Sequence, residues 1–490
     1  MNKLYDSLAS TSTRGRKTQT SNNAVTHSSS LDSVLDFFSQ GGALRGKDDK
    51  TILSLFKPAF FQNQELALKC LFYFRDVRGG QGERNLFKVC FTWVATNYPQ
   101  VAEVNLSNLV FYGRWDDVFS LFGTPLEDAM IHLVGSQLES DMDSKAPSLC
   151  AKWMPSINTS SEKTKVMARK FIKSWRTNDR TYRKMLSSLR KKINVLEKTL
   201  CQGNWKGINY SHVPSKAGLL YRKAFHKHDP EGYTSYLSSV EKGEAKINTG
   251  AIYPHEIAHK VLAQGENNNA LDVMWANLPN YLEGSEGNRL VVADTSGSMT
   301  MNYHNDSKVR PLDVCVGLAL YLAERNEGPF KDSFITFSSS PAFVQVEGAN
   351  LTAKLRNISM ADWGMNTNLQ AVFNLVLVKA IKNRVQPKDM PKEIYIISDM
   401  EFDSCGPSLT NFELVKKKYA AAGYPLPKTI FWNVNASSKQ SPVLKDEFNA
   451  VLVSGFSPRI MTNILASKDT TPQDFMLEVL RGERYARVTV

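Results

Sequence analysis

Hydrophobic positions along this chain follow two different periods, and the change falls near Gly287. From about Leu31, apolar residues recur at helical spacing in LDSVLDFF, TILSLFKPAFF, ELALKCLFYFRD and NLFKVCFTWVATN, and the pattern continues to about Leu282. That spacing puts apolar side chains on one face of a helix, and Pro, Gly or Asn ends each block. Many helices of similar size joined by short turns predict an irregular helical solenoid over residues 31–285. Before it, residues 1–30 are rich in Ser, Thr and Asn, with Arg14, Arg16 and Lys17 among them. They carry too little apolar surface to offset the entropy of ordering, which predicts a disordered polar arm.

After Gly287 short β-branched runs replace the helical period: LVVAD, SFITFS, AFVQVE, EIYIISD, TIFWNVN and AVLVSGF. Helical stretches alternate with them at Val309–Asn326, Leu369–Lys382, Asn411–Ala422, Arg459–Ala466 and Pro472–Arg484. Alternation of this kind predicts a doubly wound, Rossmann-like α/β domain with a mainly parallel sheet over residues 286–490.

The first strand of that domain ends abruptly in Asp294, Ser296 and Ser298, within Leu290 to Met299, LVVADTSGSM. Open α/β sheets place ligands at the carboxyl ends of their strands. Three oxygen donors on one tight loop suit a hard divalent cation, and hydroxyls mixed with one carboxylate leave net positive charge on the ion. EIYIISD brings a second carboxylate, Asp399, to the same sheet edge, and Thr367 follows Trp363-Gly364-Met365-Asn366 in a loop before a helix.

Charge sharpens the picture of the helical half. The 490-residue chain carries a net +12, yet residues 163–227 hold eighteen Lys and Arg against Asp179 and Glu197, so the remainder is slightly acidic. A concentrated basic block implies a surface for a polyanion. From Arg183 to Leu200, helical geometry gathers Met185, Leu186, Leu189, Ile193, Leu196 and Leu200 on one side. Arg183, Lys184, Arg190, Lys191, Lys192 and Lys198 take the other. Trp175, Tyr182, Trp205, Tyr210, Tyr221, His226 and His228 interleave with the cations, as stacking platforms do in single-strand RNA recognition. The candidate RNA contacts are Arg176, Arg180, Arg183, Lys184, Arg190, Lys191, Lys192, Lys206, Lys216, Arg222, Lys223, His226 and Lys227.

Two further motifs compete for chemistry. RDVRGGQGER, Arg75 to Arg84, lacks the GK[ST] ending of a phosphate loop and follows a helix, so it reads as a helix-to-helix turn with arginines at both ends. His255-Glu256-Ile257-Ala258-His259 is an H-E-x-x-H pattern, which on a helix can hold zinc with the glutamate as general base. Leu262 stands where an extended motif needs Gly, and a third ligand would have to be Glu283 or Glu286. Pro254 also fits an ordinary helix start. The six cysteines show no framework spacing, no apolar leader follows Met1, and no run is long enough to span a bilayer, so a reduced, cytoplasmic protein is expected.

On the D-x-S-x-S loop joined by Thr367 and Asp399, together with RDVRGGQGER and the order of the two halves, the chain resembles the Ro autoantigen family, nearest to its plant, bacterial and phage branch. The resemblance implies a TROVE module, a HEAT-like helical-repeat ring, followed by a von Willebrand factor A domain with a metal-ion-dependent adhesion site. It implies Asp294, Ser296, Ser298, Thr367 and Asp399 as Mg²⁺ ligands. It also implies a non-catalytic, monomeric ribonucleoprotein component that binds small structured or misfolded RNA on a basic face and takes single-stranded ends through its hole. Here Thr367 stands apart from Gly364, where the family has an adjacent Gly-Thr. Two other readings stay open: a module whose ion captures a protein partner's carboxylate, and a zinc hydrolase at His255, Glu256 and His259.

Overall fold

We describe the protein from a computed structural model, which covers residues 16–193, 195–285, 288–301, 309–337, 340–359, 367–404, 406, 409–436, 439–467 and 470–490. The chain forms two compact units that are not consecutive in sequence. One takes the residues up to Phe74, Gly79–Gln81 and Ile252–Tyr485; the other takes Arg75–Arg78, Gly82–Ala251 and Ala486–Val490.

The first unit opens with an antiparallel hairpin, β1 (Lys17–Gln19) and β2 (Val25–His27), turned through Asn23 at φ 64°. This corrects the expectation of disorder for residues 16–30. Composition counts only apolar surface, whereas this hairpin is held by polar side chains that find partners elsewhere in the unit. Thr20 donates to the Phe402 carbonyl (2.7 Å) and Thr26 to the Ser441 carbonyl (2.9 Å). Then come α1 (Ser33–Gln40), α2 (Asp49–Gln62) and α3 (Gln64–Arg75). Asp32 caps α1 by accepting from the Val34 and Leu35 amides, and Phe37 meets Phe56 and Phe74 edge-on, each at 5.3 Å.

The second unit is helical throughout its described residues: α4 (Asn85–Asn97), α5 (Pro99–Val104), α6 (Leu106–Tyr112), α7 (Glu127–Asp143), α8 (Cys150–Trp153), α9 (Glu162–Ser174), α10 (Asp179–Ile193), α11 (Leu196–Cys201), α12 (Ser215–His228) and α13 (Pro230–Glu241). An aromatic row runs through Phe119, Phe122, Phe171, Trp175 and Tyr182, and a second group joins Tyr210, Phe225 and Tyr233. The last residues of the chain return here: Asn105 and Asn108 on either side of the α6 start donate to the carbonyls of Thr489 (2.6 Å) and Arg487 (3.1 Å).

After Ala251 the chain rejoins the first unit with α14 (Pro254–Leu262) and α15 (Asn269–Ala276), two helices expected in the solenoid. The sheet unit follows: β3 (Arg289–Asp294), α16 (Pro311–Arg325), β4 (Ser333–Phe337), β5 (Phe343–Gln345), α17 (Leu351–Ser359), α18 (Leu369–Lys382), β6 (Glu393–Ser398), α19 (Asn411–Ala422), β7 (Lys428–Asn433), β8 (Ala450–Ser454), α20 (Ile460–Ala466) and α21 (Pro472–Arg481). The strand order is β5-β4-β3-β6-β7-β8, parallel except for β5. Strands β3, β4, β7 and β8 are buried along their whole length, as expected of a sheet covered on both faces. One of the covering helices is α1, which packs on β8, so the helical half expected over residues 31–285 gives its first helices to the sheet unit.

Candidate functional site

Strands β3 and β6 are the central pair where the strand order reverses, β4 continuing on one side and β7 on the other. A crevice opens at the carboxyl ends of such a pair. Asp294 ends β3 and Ser398 ends β6, so the fold itself brings Asp294 and Asp399 to one place. Asp294 is fully buried; its Oδ1 accepts from the Ser296 amide (2.9 Å) and its Oδ2 from the Ser398 hydroxyl. The Ser296 and Ser298 hydroxyls lie 3.0 Å apart. Thr367, also fully buried, donates its hydroxyl to the Glu401 carbonyl (2.7 Å), and its amide donates to Asp403 (2.7 Å). Residues 363–366 of its loop lie outside the described residues.

Asp399 accepts from the Glu401 amide on Oδ1 (3.1 Å), while its buried Oδ2 has no hydrogen-bond partner among the described residues. Burial, and then the charge of Asp294, push Asp399 up to about 7, only partly offset by the Ser298 hydroxyl and the Glu401 amide. Burial likewise raises Asp294, against the bonds from Ser398 and Ser296. Two buried carboxylates, the charge of Asp294 raising Asp399, with an orphaned oxygen on Asp399 and the hydroxyls of Ser296 and Ser298 on the same sheet edge, form the donor set a hard divalent cation would satisfy. The residues present therefore fit Mg²⁺.

The loop after β6 also holds carboxylates that our reading of the sequence passed over. Glu401 and Asp403 follow Asp399 at alternate positions, and Asp403 adds to the charge that raises Asp294. The D-x-E-x-D alternation beyond a strand end was the available signal.

In the helical unit, Arg176, Arg180, Arg183, Lys184, Lys191, Lys192, Lys206, Lys223, His226 and Lys227 are exposed. Among the described residues no carboxylate pairs with Arg180, Lys184 or Lys191; the ion pairs of this block include Lys165–Glu162 (2.6 Å) and Lys170–Glu127 (2.7 Å). Two expected contacts are corrected. Arg190 turns inward and donates to the carbonyls of Ala151 (2.8 Å) and Met154 (2.8 Å) and to the Ser156 hydroxyl (3.0 Å), so its guanidinium closes the end of α8. Arg222 is buried and donates to the Leu219 carbonyl. The helix expected to run from Arg183 to Leu200 also stops at Ile193, and Val195 is extended, so Lys198 leaves the face of α10. Of the aromatics, Tyr182 and Tyr210 are core residues, whereas Trp205 stacks on exposed His228 at 4.3 Å.

Lys216 lines a cleft of about 1150 Å³ in the same unit, with Arg78, Arg114, Lys152, Trp153 and Tyr221. The Arg114 guanidinium lies over the Trp153 ring at 5.4 Å. RDVRGGQGER supplies part of this wall through Arg78, while Arg75 is buried against Asp117 (Nη2 to Oδ2, 2.6 Å). The segment joins α3 to α4, a helix-to-helix turn.

The H-E-x-x-H residues lie on α14 and serve packing. His259 Nδ1 is 2.7 Å from Asp313, which also takes Arg310. Glu256 accepts from the Tyr253 amide (2.9 Å) and caps its own helix, and His255 is buried edge-on to Phe456. Among the described residues no three His, Cys, Asp or Glu side chains cluster to hold a metal, and Glu286 lies outside those residues.

Fold and site together define a class: a helical unit with a basic surface, joined to a doubly wound sheet whose switch point gathers carboxylates and hydroxyls. Residues 20–114 and 111–286 match the family described as Domain of unknown function (DUF2828), and residues 288–484 match that described as Domain of unknown function (DUF7788). The first matches together cover more than half of the chain, and the protein belongs to the DUF2828 family. Over 505 residues, 94% of this chain and 86% of the relative, it is 29% identical to "Uncharacterized protein L728" of Acanthamoeba polyphaga mimivirus. Among solved structures it is similar to the RO (RSR) protein of Deinococcus radiodurans, at 14% identity over 93% of this chain and 100% of that one, with a TM-score of 0.35. Among the described residues no helix is long and apolar enough to cross a membrane.

Proposed function

We propose that the protein is a non-catalytic, Ro-like RNA-binding scaffold whose helical unit holds small structured RNA and whose sheet unit holds a divalent cation. The observation that carries this reading is the solvent face of α10, where Arg180, Arg183, Lys184 and Lys191 are exposed and Arg180, Lys184 and Lys191 meet no carboxylate among the described residues. Like charges gathered on one helix repel, and phosphates offset that repulsion. The neighbouring cleft supports the reading: cations flank Trp153 and Tyr221, a pairing suited to the phosphates and bases of a single-stranded segment.

Asp294, Asp399, Ser296, Ser298 and Thr367 would hold the Mg²⁺ ion, supplying charge neutralisation at the switch point and an open position for an acidic group. The orphaned Asp399 oxygen favours this part of the reading, and with it a second role in capturing a carboxylate from a protein partner. The test is the nucleic acid that copurifies. Wild-type protein is expected to carry nuclease-sensitive material absorbing at 260 nm, and protein with Arg180, Arg183 and Lys184 all changed to Glu is expected to carry little. Equal loading of the two would remove the helical face from the proposal. Partners that survive nuclease and vanish on Asp294→Ala would support the second role.

A further inference from the structure

The hairpin β1–β2 ends on the ion site, more than three hundred residues away in sequence. At its tip the Ser21 amide (2.7 Å) and hydroxyl (2.8 Å) both donate to one carboxylate oxygen of Glu401. The Asn22 side-chain amide donates to the Glu401 carbonyl (2.7 Å) and to the Thr367 hydroxyl oxygen (3.3 Å). The Asn22 carbonyl accepts from the Ser404 amide (3.3 Å), so the tip is pinned to the loop after β6 by main chain as well as side chain. The base of the hairpin is fixed separately, where His27 and Ser441 exchange backbone bonds (3.1 and 2.9 Å) and Thr26 donates to the Ser441 carbonyl.

A hydroxyl offers one hydrogen and two lone pairs. In Thr367 the hydrogen goes to the Glu401 carbonyl (2.7 Å), the nearer of two acceptors, Asp403 Oδ1 lying at 3.4 Å, and one lone pair takes Asn22, which orients the hydroxyl and leaves one lone pair for a further partner. We infer that the amino-terminal hairpin is a working part of the ion site, with Asn22 a positioning residue that aims the Thr367 hydroxyl at the cation. This inference rests on the ion-site reading and adds to it a segment far from both Asp294 and Asp399 in sequence. Residues that orient a metal ligand from behind commonly change affinity by about 10- to 100-fold when lost.

The test is Mn²⁺ binding to the full chain, read from the free-ion signal in electron paramagnetic resonance, with unfolding temperature in chelator as a second readout. Asn22→Ala is expected to weaken Mn²⁺ binding by about 10-fold with little change in the chelator unfolding temperature. Thr26→Val, which loosens the hairpin at its base, is expected to leave Mn²⁺ affinity near wild type. Equal affinity in wild type and Asn22→Ala would overturn the role of the hairpin while leaving the ion site standing. Absence of Mn²⁺ binding in the wild type would overturn both. Equal weakening by Asn22→Ala and Thr26→Val would show general loosening and overturn the specific role of Asn22.

Discussion

Ser398, the last residue of β6, donates its hydroxyl to Asp294, the last residue of β3. This bond ties the two central strands at their carboxyl ends and commits one oxygen of Asp294, while the Oδ2 of Asp399 beside it has no such partner among the described residues. Removing the second charge should therefore separate folding from ion binding. Asp399→Asn is expected to unfold in chelator at a temperature no lower than wild type, because one of two mutually repelling buried carboxylates is gone. Mg²⁺ at about a hundredfold excess over its Kd should stabilise wild type by about 2.7 kcal/mol, or roughly 4 °C for a unit of this size. The variant should show no such shift in a thermal melt. A full Mg²⁺ shift in Asp399→Asn would contradict the assignment.

A second carboxylate gives a pH dependence of known sign. Burial pushes Asp36, on α1, up to about 6 despite the bond it accepts from the Ser30 amide (2.8 Å). A carboxyl with a raised folded-state pKa favours folding most when protonated, so its contribution is full below about 4 and is lost as pH rises through about 6. Asp36→Asn keeps an acceptor for Ser30 and removes the titration. Denaturant melts at pH 3.5 and pH 7.5 should show the variant gaining roughly 1–3 kcal/mol over wild type at the higher pH and little at the lower.

Arg75 and Asp117 form a buried ion pair in the helical unit, with Arg75 Nε also donating to the same oxygen (2.8 Å) and the Arg114 amide joining it (2.8 Å). Truncating one partner leaves the other charge buried. Asp117→Ala is expected to cost about 3–5 kcal/mol in denaturant unfolding, and a loss under about 1 kcal/mol would mean the pair is far more hydrated than its burial indicates.

Arg190 separates structural arginines from those of the proposed RNA face. Its three donors close on Ala151, Met154 and Ser156. Arg190→Ala should therefore lower the stability of the helical unit by about 2–4 kcal/mol yet leave the salt dependence of RNA binding unchanged. Lys184→Ala should do the reverse.

The sheet unit was largely legible in sequence because its signals are local. LVVAD, EIYIISD and the helices Leu369–Lys382 and Asn411–Ala422 are continuous runs with clear ends, and the structure places them within a residue of those bounds. Asp294 and Asp399 were found because a strand end is visible in one dimension. The hairpin was missed because its stability comes from bonds to Glu401, Phe402 and Ser441, partners that only the fold supplies. Arg190 and Arg222 were misplaced for a related reason: periodicity separates apolar from charged positions, but an arginine beside open carbonyls can turn inward. The reach of the first helices into the sheet unit was equally hidden, since α1 carries the same amphipathic pattern whichever unit it covers.

The most direct test is fluorescence anisotropy of a labelled, structured RNA with a single-stranded end, titrated with protein across a salt series. Wild type is expected to bind with log Kd rising linearly against log salt, at roughly 0.7–0.9 per phosphate engaged. Changing Arg180, Arg183, Lys184 and Lys191 together to Glu should abolish binding at physiological salt while circular dichroism stays unchanged. Binding by that variant with the wild-type affinity and slope would contradict the account.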